Sequence, residues 1–243
     1  MPEEARPAFY ALAPGGARDY VTLLHPPYTA WHLSYVAIGA AVAGELEAGR
    51  LLPALAAFFL AVGVGAHALD ELHGRPLGTA ISNGTLLALA VASLAGAVAI
   101  GLYGALTVSP WLLLFVAAGA VAAVGYSSEL WGARLHGDWQ FALAWGSFPV
   151  LTGAFATAER LEAPAVLAAA FAFLLSLAQR RLSTQVRDVR RRVTGVEGRL
   201  ERRDGTTEPV TTATLIEAEE RALRLLAAAV VTLALALVAL RTA

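Results

Sequence analysis

Seven apolar stretches, at residues 28–46, 51–71, 83–104, 108–127, 138–157, 161–180 and 221–241, alternate with polar segments along a chain of 243 residues. Each has about the 20 residues that a helix needs to cross a hydrocarbon core of about 30 Å. The pattern predicts an all-α polytopic membrane bundle of about seven transmembrane helices, one membrane domain spanning 1–243. Alanine and glycine crowd several spans, as in AVASLAGAVAIG at 90–101 and FVAAGAVAAVG at 115–125. Small residues let membrane helices pack closely where no water drives them together. Pro149 and Gly153 lie inside the fifth span and predict a kink there.

The longest polar segment, 181–220, is the one candidate for structure outside the spans. RRLSTQVRDVRRR (180–192) continues the sixth helix, because Arg181, Thr184, Gln185, Asp188 and Arg192 follow i, i+3, i+4, i+7 and i+11. Gly195, Gly198, Gly205 and Pro209 then break the helix, and DGTTEP reads as turns. Thr214 stands three residues before Glu217, the spacing of a capping box leading into the last span. The segment is too short for a separate domain. A basic loop beside a membrane also suits anionic lipid headgroups.

Composition agrees: 57% of residues are hydrophobic and 15% charged, with a mean hydropathy of +0.60, against about 25% charged in soluble domains. With no cysteine, disulfides and thiolate metal sites are excluded. All eighteen basic residues are arginine. If the N-terminus is inside, fifteen of them face the cytoplasm and only Arg50, Arg160 and Arg241 face outward. The positive-inside rule therefore predicts a multi-pass cell-membrane protein with a cytoplasmic N-terminus (1–27) and an outer C-terminus. The first 27 residues carry Glu3 and Glu4 and no basic region ahead of an apolar core, so they do not read as a cleaved signal peptide. The same topology puts all five histidines, with Asp70, Glu71, Glu129, Asp138 and Asp188, in the cytoplasmic half.

Chemistry concentrates where the second span ends, GVGAHALDELHGRPLGTAIS at 63–82. His67, Asp70, Glu71 and Gly74 fall at i, i+3, i+4 and i+7, so one helix face carries an imidazole and two carboxylates. His73 and Arg75 follow. Charges at the end of a membrane helix are costly unless paired, hydrated or bound to an ion, which marks this end as a candidate site. Asp138 is placed as a helix N-cap, and Asp188 as an i, i+4 partner of Arg192 or a metal ligand. Phosphate-binding glycine loops, hydrolase elbows and nucleic-acid-binding patterns are absent from the sequence, so no nucleic-acid partner is expected.

Several stretches resemble the UbiA superfamily of intramembrane prenyltransferases. ARDYVTLLHPPYTAWHLSYVAIGAAVAG (17–44) is similar to the family's entry into its first helix, and HALDELHGRPLGTAIS (67–82) to its first Asp-rich motif and the run that follows. YSSELWGARLHGDWQFALAWGSFPVLTGAF (126–155) resembles the loop after helix four and the Gly/Pro-containing helix five, while STQVRDVRRRVTG (183–195) falls at the second Asp-rich motif. The resemblance implies a UbiA-like arrangement in which an isoprenoid diphosphate reacts with a lipophilic acceptor. It also implies Mg²⁺ held by carboxylates, here Asp70, Glu71 and Asp188 as catalytic groups with His67 as a further ligand. Arg75, Arg134, Arg181 and Arg187 are then the expected diphosphate contacts. The family pattern of three aspartates is reduced to His67, Asp70 and Gly74, and four arginines (Arg187, Arg190, Arg191, Arg192) surround Asp188. Imidazoles among the ligands make a transition metal the alternative to Mg²⁺. The alternative function is a non-catalytic or differently catalytic relative that binds a metal ion or an isoprenoid lipid.

Overall fold

The structure is a computed structural model that describes residues 6–127 and 137–242. Its long elements are helices: α1 (Ala17–Leu23), α2 (Pro26–Ala43), α3 (Ala48–Leu72), α4 (Asn83–Thr107), α5 (Leu112–Ser127), α6 (Asp138–Ala158), α7 (Ala163–Arg192) and α8 (Glu217–Thr242). Five of them, α3, α4, α6, α7 and α8, are long and apolar enough to cross a membrane. α5 is apolar but shorter. α2 carries His32, Ser34 and Tyr35 on faces that the other helices bury.

α2 is the central rod. It packs against α6 through glycine at two levels, where a Cβ on Gly39 would come within 2.0 Å of the Val150 carbonyl oxygen and one on Gly153 within 2.1 Å of that of Val36. Backbones this close exclude any larger residue. Around this contact the main core joins Trp31, Tyr35 and Ile38 of α2 to Val150, Ala172 and Val230 of α6, α7 and α8. A second cluster joins Val62 and Ala66 of α3 to Ala123 of α5 and Trp145 of α6.

Two helices widen into π turns, α3 over Phe59–Ala66 and α6 over Leu143–Ser147. In α6 the physical cause is Pro149, which has no N–H to give the carbonyl four residues back, Trp145. The irregularity expected from Pro149 thus lies one turn earlier than the proline itself.

Beyond the bundle, α7 does run on to Arg192. The turns predicted around 204–209 belong to a small antiparallel hairpin, β1 (Arg199–Glu201) with β2 (Thr207–Pro209), in the register Arg199 to Pro209. Asp204 accepts from the Thr206 N–H at 3.0 Å and from its hydroxyl at 2.7 Å, which tightens the connection. The predicted capping box does not form. The Thr214 hydroxyl accepts from the Thr211 N–H at 2.8 Å instead, and the Glu217 N–H bonds to the Ala213 carbonyl. Asp138 is likewise not the N-cap of α6; Gly137 is, and the Asp138 carboxylate lies 3.4 Å from Arg180 and 3.7 Å from Arg181 on α7. The hairpin returns the chain to α8 beside the N-terminal segment, where Arg190 clasps Glu220 through Nε and, at 2.9 Å, through Nη2. Arg190 Nη1 also donates to the Arg6 carbonyl at 3.0 Å.

Candidate functional site

Two stacked imidazoles, His25 and His67, and a third nearby, His32, lie where α2, α3 and the N-terminal segment converge. The Trp145 carbonyl, released by Pro149, accepts from Nδ1 of His32 at 2.8 Å. Where the wide turn of α3 ends, the His67 backbone N–H bonds the Val64 carbonyl, and the His67 ring bonds the Gly63 carbonyl through Nδ1 at 3.2 Å. Both rings therefore carry the proton on Nδ1, because a carbonyl can only accept. Neither Nε2 has a hydrogen-bond partner among the described residues, although both side chains are buried.

His25 completes the group. It precedes Pro26, which disfavours the right-handed helical region, and it sits at φ +46° as the N-cap of α2. Its ring stacks on His67 with centroids 3.9 Å apart and planes 11° apart. Nδ1 of His25 lies 2.9 Å from the Tyr10 hydroxyl. Burial pushes the Tyr10 phenol well above its ordinary value of 10.0, and Tyr28 adds to this, so the hydroxyl keeps its proton and shares a neutral hydrogen bond with His25. His25 is pushed well below its ordinary value, first by burial and then by neighbouring His67.

The carboxylates of the sequence motif have separate roles. Glu71 is fully enclosed; one oxygen accepts from the Leu77 N–H at 2.9 Å, and the other from the Thr79 N–H at 2.8 Å and its hydroxyl at 2.9 Å. It organises the loop after α3. Buried Asp19 of α1 helps, accepting from Gly15 at 2.9 Å and from Ala80 at 3.1 Å. Asp70, half-buried, is near enough for its charge to act on Tyr10 and Arg191. Asp188 is exposed and lies 3.2 Å from Arg192, the pairing its spacing predicts.

The predicted phosphate contacts divide in the same way. Arg75, at φ +52°, donates to the carbonyls of Thr79 at 3.1 Å and Ile81 at 2.5 Å and to the side chain of Asn83, so it is part of the loop. Arg181 is exposed beside Asp138. Arg134 lies outside the described residues. Arg187 is half-buried next to the Tyr10 group, and Arg191, one turn further along the same face of α7, reaches it from the rim. Arg191 was not among the predicted contacts. Its charge acts on Tyr10, Glu71, Tyr28 and Asp70, and its guanidinium has no hydrogen bond or ion pair among the described residues.

Between α3, α4, α5 and α6 lies a cavity of about 400 Å³ lined mainly by apolar side chains, among them Phe58, Leu94, Phe115 and Phe148. One end holds Arg50 and Thr107, and the other holds Val62 and Trp145. The Trp145 ring lies 6.0 Å from that of His32, so this end of the cavity is near the imidazoles, none of which lines it.

Among the described residues no three histidine, aspartate or glutamate side chains are grouped to hold a metal ion. Mg²⁺ takes an octahedral oxygen shell in which one or two carboxylates per ion are joined by waters and phosphate oxygens. Both Glu71 oxygens already serve the loop, Asp188 is paired outside the cluster, and the His67 ring is stacked, so this donor set does not fit a pair of Mg²⁺ ions. Of the residues that do gather, Tyr10, Tyr28, His25, His32 and Arg191 stand outside the Asp-rich pattern. Pro149 and the HPP run at 25–27 were the available signals, since each proline disturbs the backbone where an imidazole is held. Comparisons of the chain with protein-family models, with curated proteins and with solved structures find no match.

Proposed function

We propose that this protein is a prenyltransferase-like integral membrane protein with a UbiA-like arrangement of about seven spans, the imidazole end facing the cytoplasm, and that it takes an isoprenoid diphosphate and a lipophilic acceptor. The observation that carries the reading is the apolar cavity ending near a polar cluster with Arg187 and Arg191 at its rim. An isoprenoid chain suits an apolar lining, and guanidinium groups suit diphosphate oxygens, which they bind through paired N–H donors. A pair of Mg²⁺ ions, which the resemblance implies, does not fit the carboxylates present. Neutralisation of the diphosphate is therefore assigned to arginine alone.

A second reading, binding of an isoprenoid lipid without transfer, is favoured by one observation: Glu71 at the first motif is wholly occupied in holding the loop. Both readings share the chain site and differ in chemistry.

The test is binding of geranylgeranyl diphosphate to the detergent-purified protein, with and without Mg²⁺. Saturable binding that persists when Mg²⁺ is chelated, and that Arg191→Ala weakens about tenfold, is expected for loss of a charge-assisted contact. Absence of binding by folded protein in both conditions would remove both readings. Transfer of a labelled prenyl group to a membrane lipid extract then separates an enzyme from a binding protein.

A further inference from the structure

A shallow groove of about 410 Å³ opens on the surface where the N-terminal segment, α2 and α8 meet. Phe9, Pro27, Ala30, Ala228 and Val231 give it apolar walls, and Arg224 is its charged lining residue. Along α8 it extends from Arg224 to Thr232, about 12 Å at 1.5 Å per residue. Arg224 also marks a boundary in the chain. Glu217, Glu219, Glu220, Arg221 and Arg224 crowd the first turns of α8, and the stretch Leu225–Leu240 that follows carries no charge. A bilayer crossed by α8 therefore has its headgroups at the level of Arg224 and its hydrocarbon beside the rest of the groove.

Arg224 has binding capacity left. Its neighbour Glu220 is taken, because Arg190 engages both carboxylate oxygens, through Nε and, at 2.9 Å, through Nη2. Nη2 of Arg224 lies 3.9 Å from one of those oxygens, beyond hydrogen-bond range. Its guanidinium carbon stands 5.0 Å over the centre of the Phe9 ring, a contact that holds the group against the groove wall and uses none of its N–H donors. The side chain is 55% exposed. Two arginines thus share one carboxylate, and the surplus positive charge sits at the polar end of an apolar groove.

A cation at the mouth of an apolar groove complements an anionic amphiphile. Phosphate oxygens accept the paired N–H donors of a guanidinium, and a hydrocarbon tail covers the apolar walls. Inorganic phosphate leaves those walls uncovered. A zwitterionic headgroup brings an ammonium to a site that already holds surplus positive charge. We propose that the groove binds an anionic phospholipid, its phosphate on Arg224 and an acyl chain between α2 and α8. The site is separate from the cavity between α3, α4, α5 and α6, and it does not depend on what that cavity holds. Phe9, which walls the groove, packs edge-on against Tyr10 at 5.3 Å and Tyr28 at 6.3 Å, so the lipid also fastens the N-terminal segment to the bundle.

The experiment is native mass spectrometry of the detergent-purified full chain incubated with equimolar dioleoyl phosphatidylglycerol and dioleoyl phosphatidylcholine. The wild type is expected to retain phosphatidylglycerol about tenfold over phosphatidylcholine, and inorganic phosphate should not displace it. Arg224→Gln, at an exposed position, should bring phosphatidylglycerol down to the level of phosphatidylcholine. Ala228→Phe fills the groove from its exposed side and should lower retention of both lipids. Geranylgeranyl diphosphate binding, which reports on the cavity alone, should be the same in both variants. Equal retention of the two lipids by the wild type would overturn the site without recourse to any variant. A preference that Arg224→Gln left intact would do so too, and would move the anionic lipid to another basic surface such as the 181–220 loop. Displacement by inorganic phosphate would reduce the site to a bare anion contact and overturn the lipid. A lipid-free dimer that Ala228→Phe dissociates would give the groove to a second copy of the chain and likewise end the proposal.

Discussion

Two polar clusters lie at the same end of the bundle, and they differ in how completely their atoms are matched. In the Arg190–Glu220 cluster both side chains are about nine-tenths buried, the contact is two-pronged, and the guanidinium also reaches the Arg6 carbonyl. In the imidazole cluster the rings are equally buried, yet His32 and His67 each leave one nitrogen open. The first cluster ties the N-terminal segment, α7 and α8 together. The second lies near a cavity. Burial alone therefore does not distinguish a structural group from a binding group; matching does, because a closed network has nothing left to offer a ligand.

The largest effect is expected from opening the closed cluster. Glu220→Ala leaves the buried Arg190 charge without its carboxylate and should cost about 3–5 kcal/mol, read as a fall in the unfolding midpoint in detergent. Replacing both residues with apolar ones of similar size should cost clearly less. A single variant as stable as the wild type would show that the clamp is not holding these elements.

Glu71 extends the contrast to the sequence motif itself. Glu71→Gln retains the shape but offers an N–H where a backbone N–H must be accepted, and should cost about 1–3 kcal/mol. Diphosphate binding by the folded fraction should persist. Loss of binding without loss of stability would return Glu71 to the ligand site.

The imidazole cluster should betray itself through pH. His25 is held neutral by burial, its folded value below the ordinary 6.5, so the unfolded chain takes up a proton that the folded chain refuses. The stability it contributes is present above about pH 6.5 and falls as the pH is lowered, by up to about 1.4 kcal/mol per unit for this group. Unfolding midpoints measured at about pH 7.5 and about pH 5.5 should differ in the wild type and differ less in His25→Phe, where buried His32 and His67 remain. A profile that stayed unchanged in the variant would place the titration elsewhere.

Asp188→Ala should do least. An exposed i, i+4 pair with Arg192 contributes about 0.3–0.5 kcal/mol, and neither ligand binding nor its indifference to Mg²⁺ should change. A Mg²⁺ dependence abolished by this substitution would restore the aspartate to a metal site.

The long elements were legible because each is a local property. An uninterrupted apolar run declares a membrane-length helix, and the extension of α7 to Arg192 shows in the spacing of its polar residues. The capping box at Thr214 failed because its hydroxyl had a nearer taker in the Thr211 N–H, a competition that the Thr and Glu spacing does not reveal. The site was legible only in part. Spacing put His67, Asp70 and Glu71 on one short stretch but could not say that Glu71 turns to the loop at Leu77 and Thr79, since that depends on where the backbone N–H groups of the loop end up. Tyr10 and Arg191 are 181 positions apart in the chain, and no local period connects them.

By itself the sequence determined that this chain is built of helices apolar enough to cross a membrane, that ionisable groups gather at 67–75, and that α6 is irregular near Pro149, because hydropathy and proline act on the nearest few residues. Only the tertiary structure decided which of those polar groups are consumed in holding the fold and which stay open. That division depends on partners brought together across the bundle: the Trp145 carbonyl for His32, the Tyr10 hydroxyl for His25, and Glu220 for Arg190.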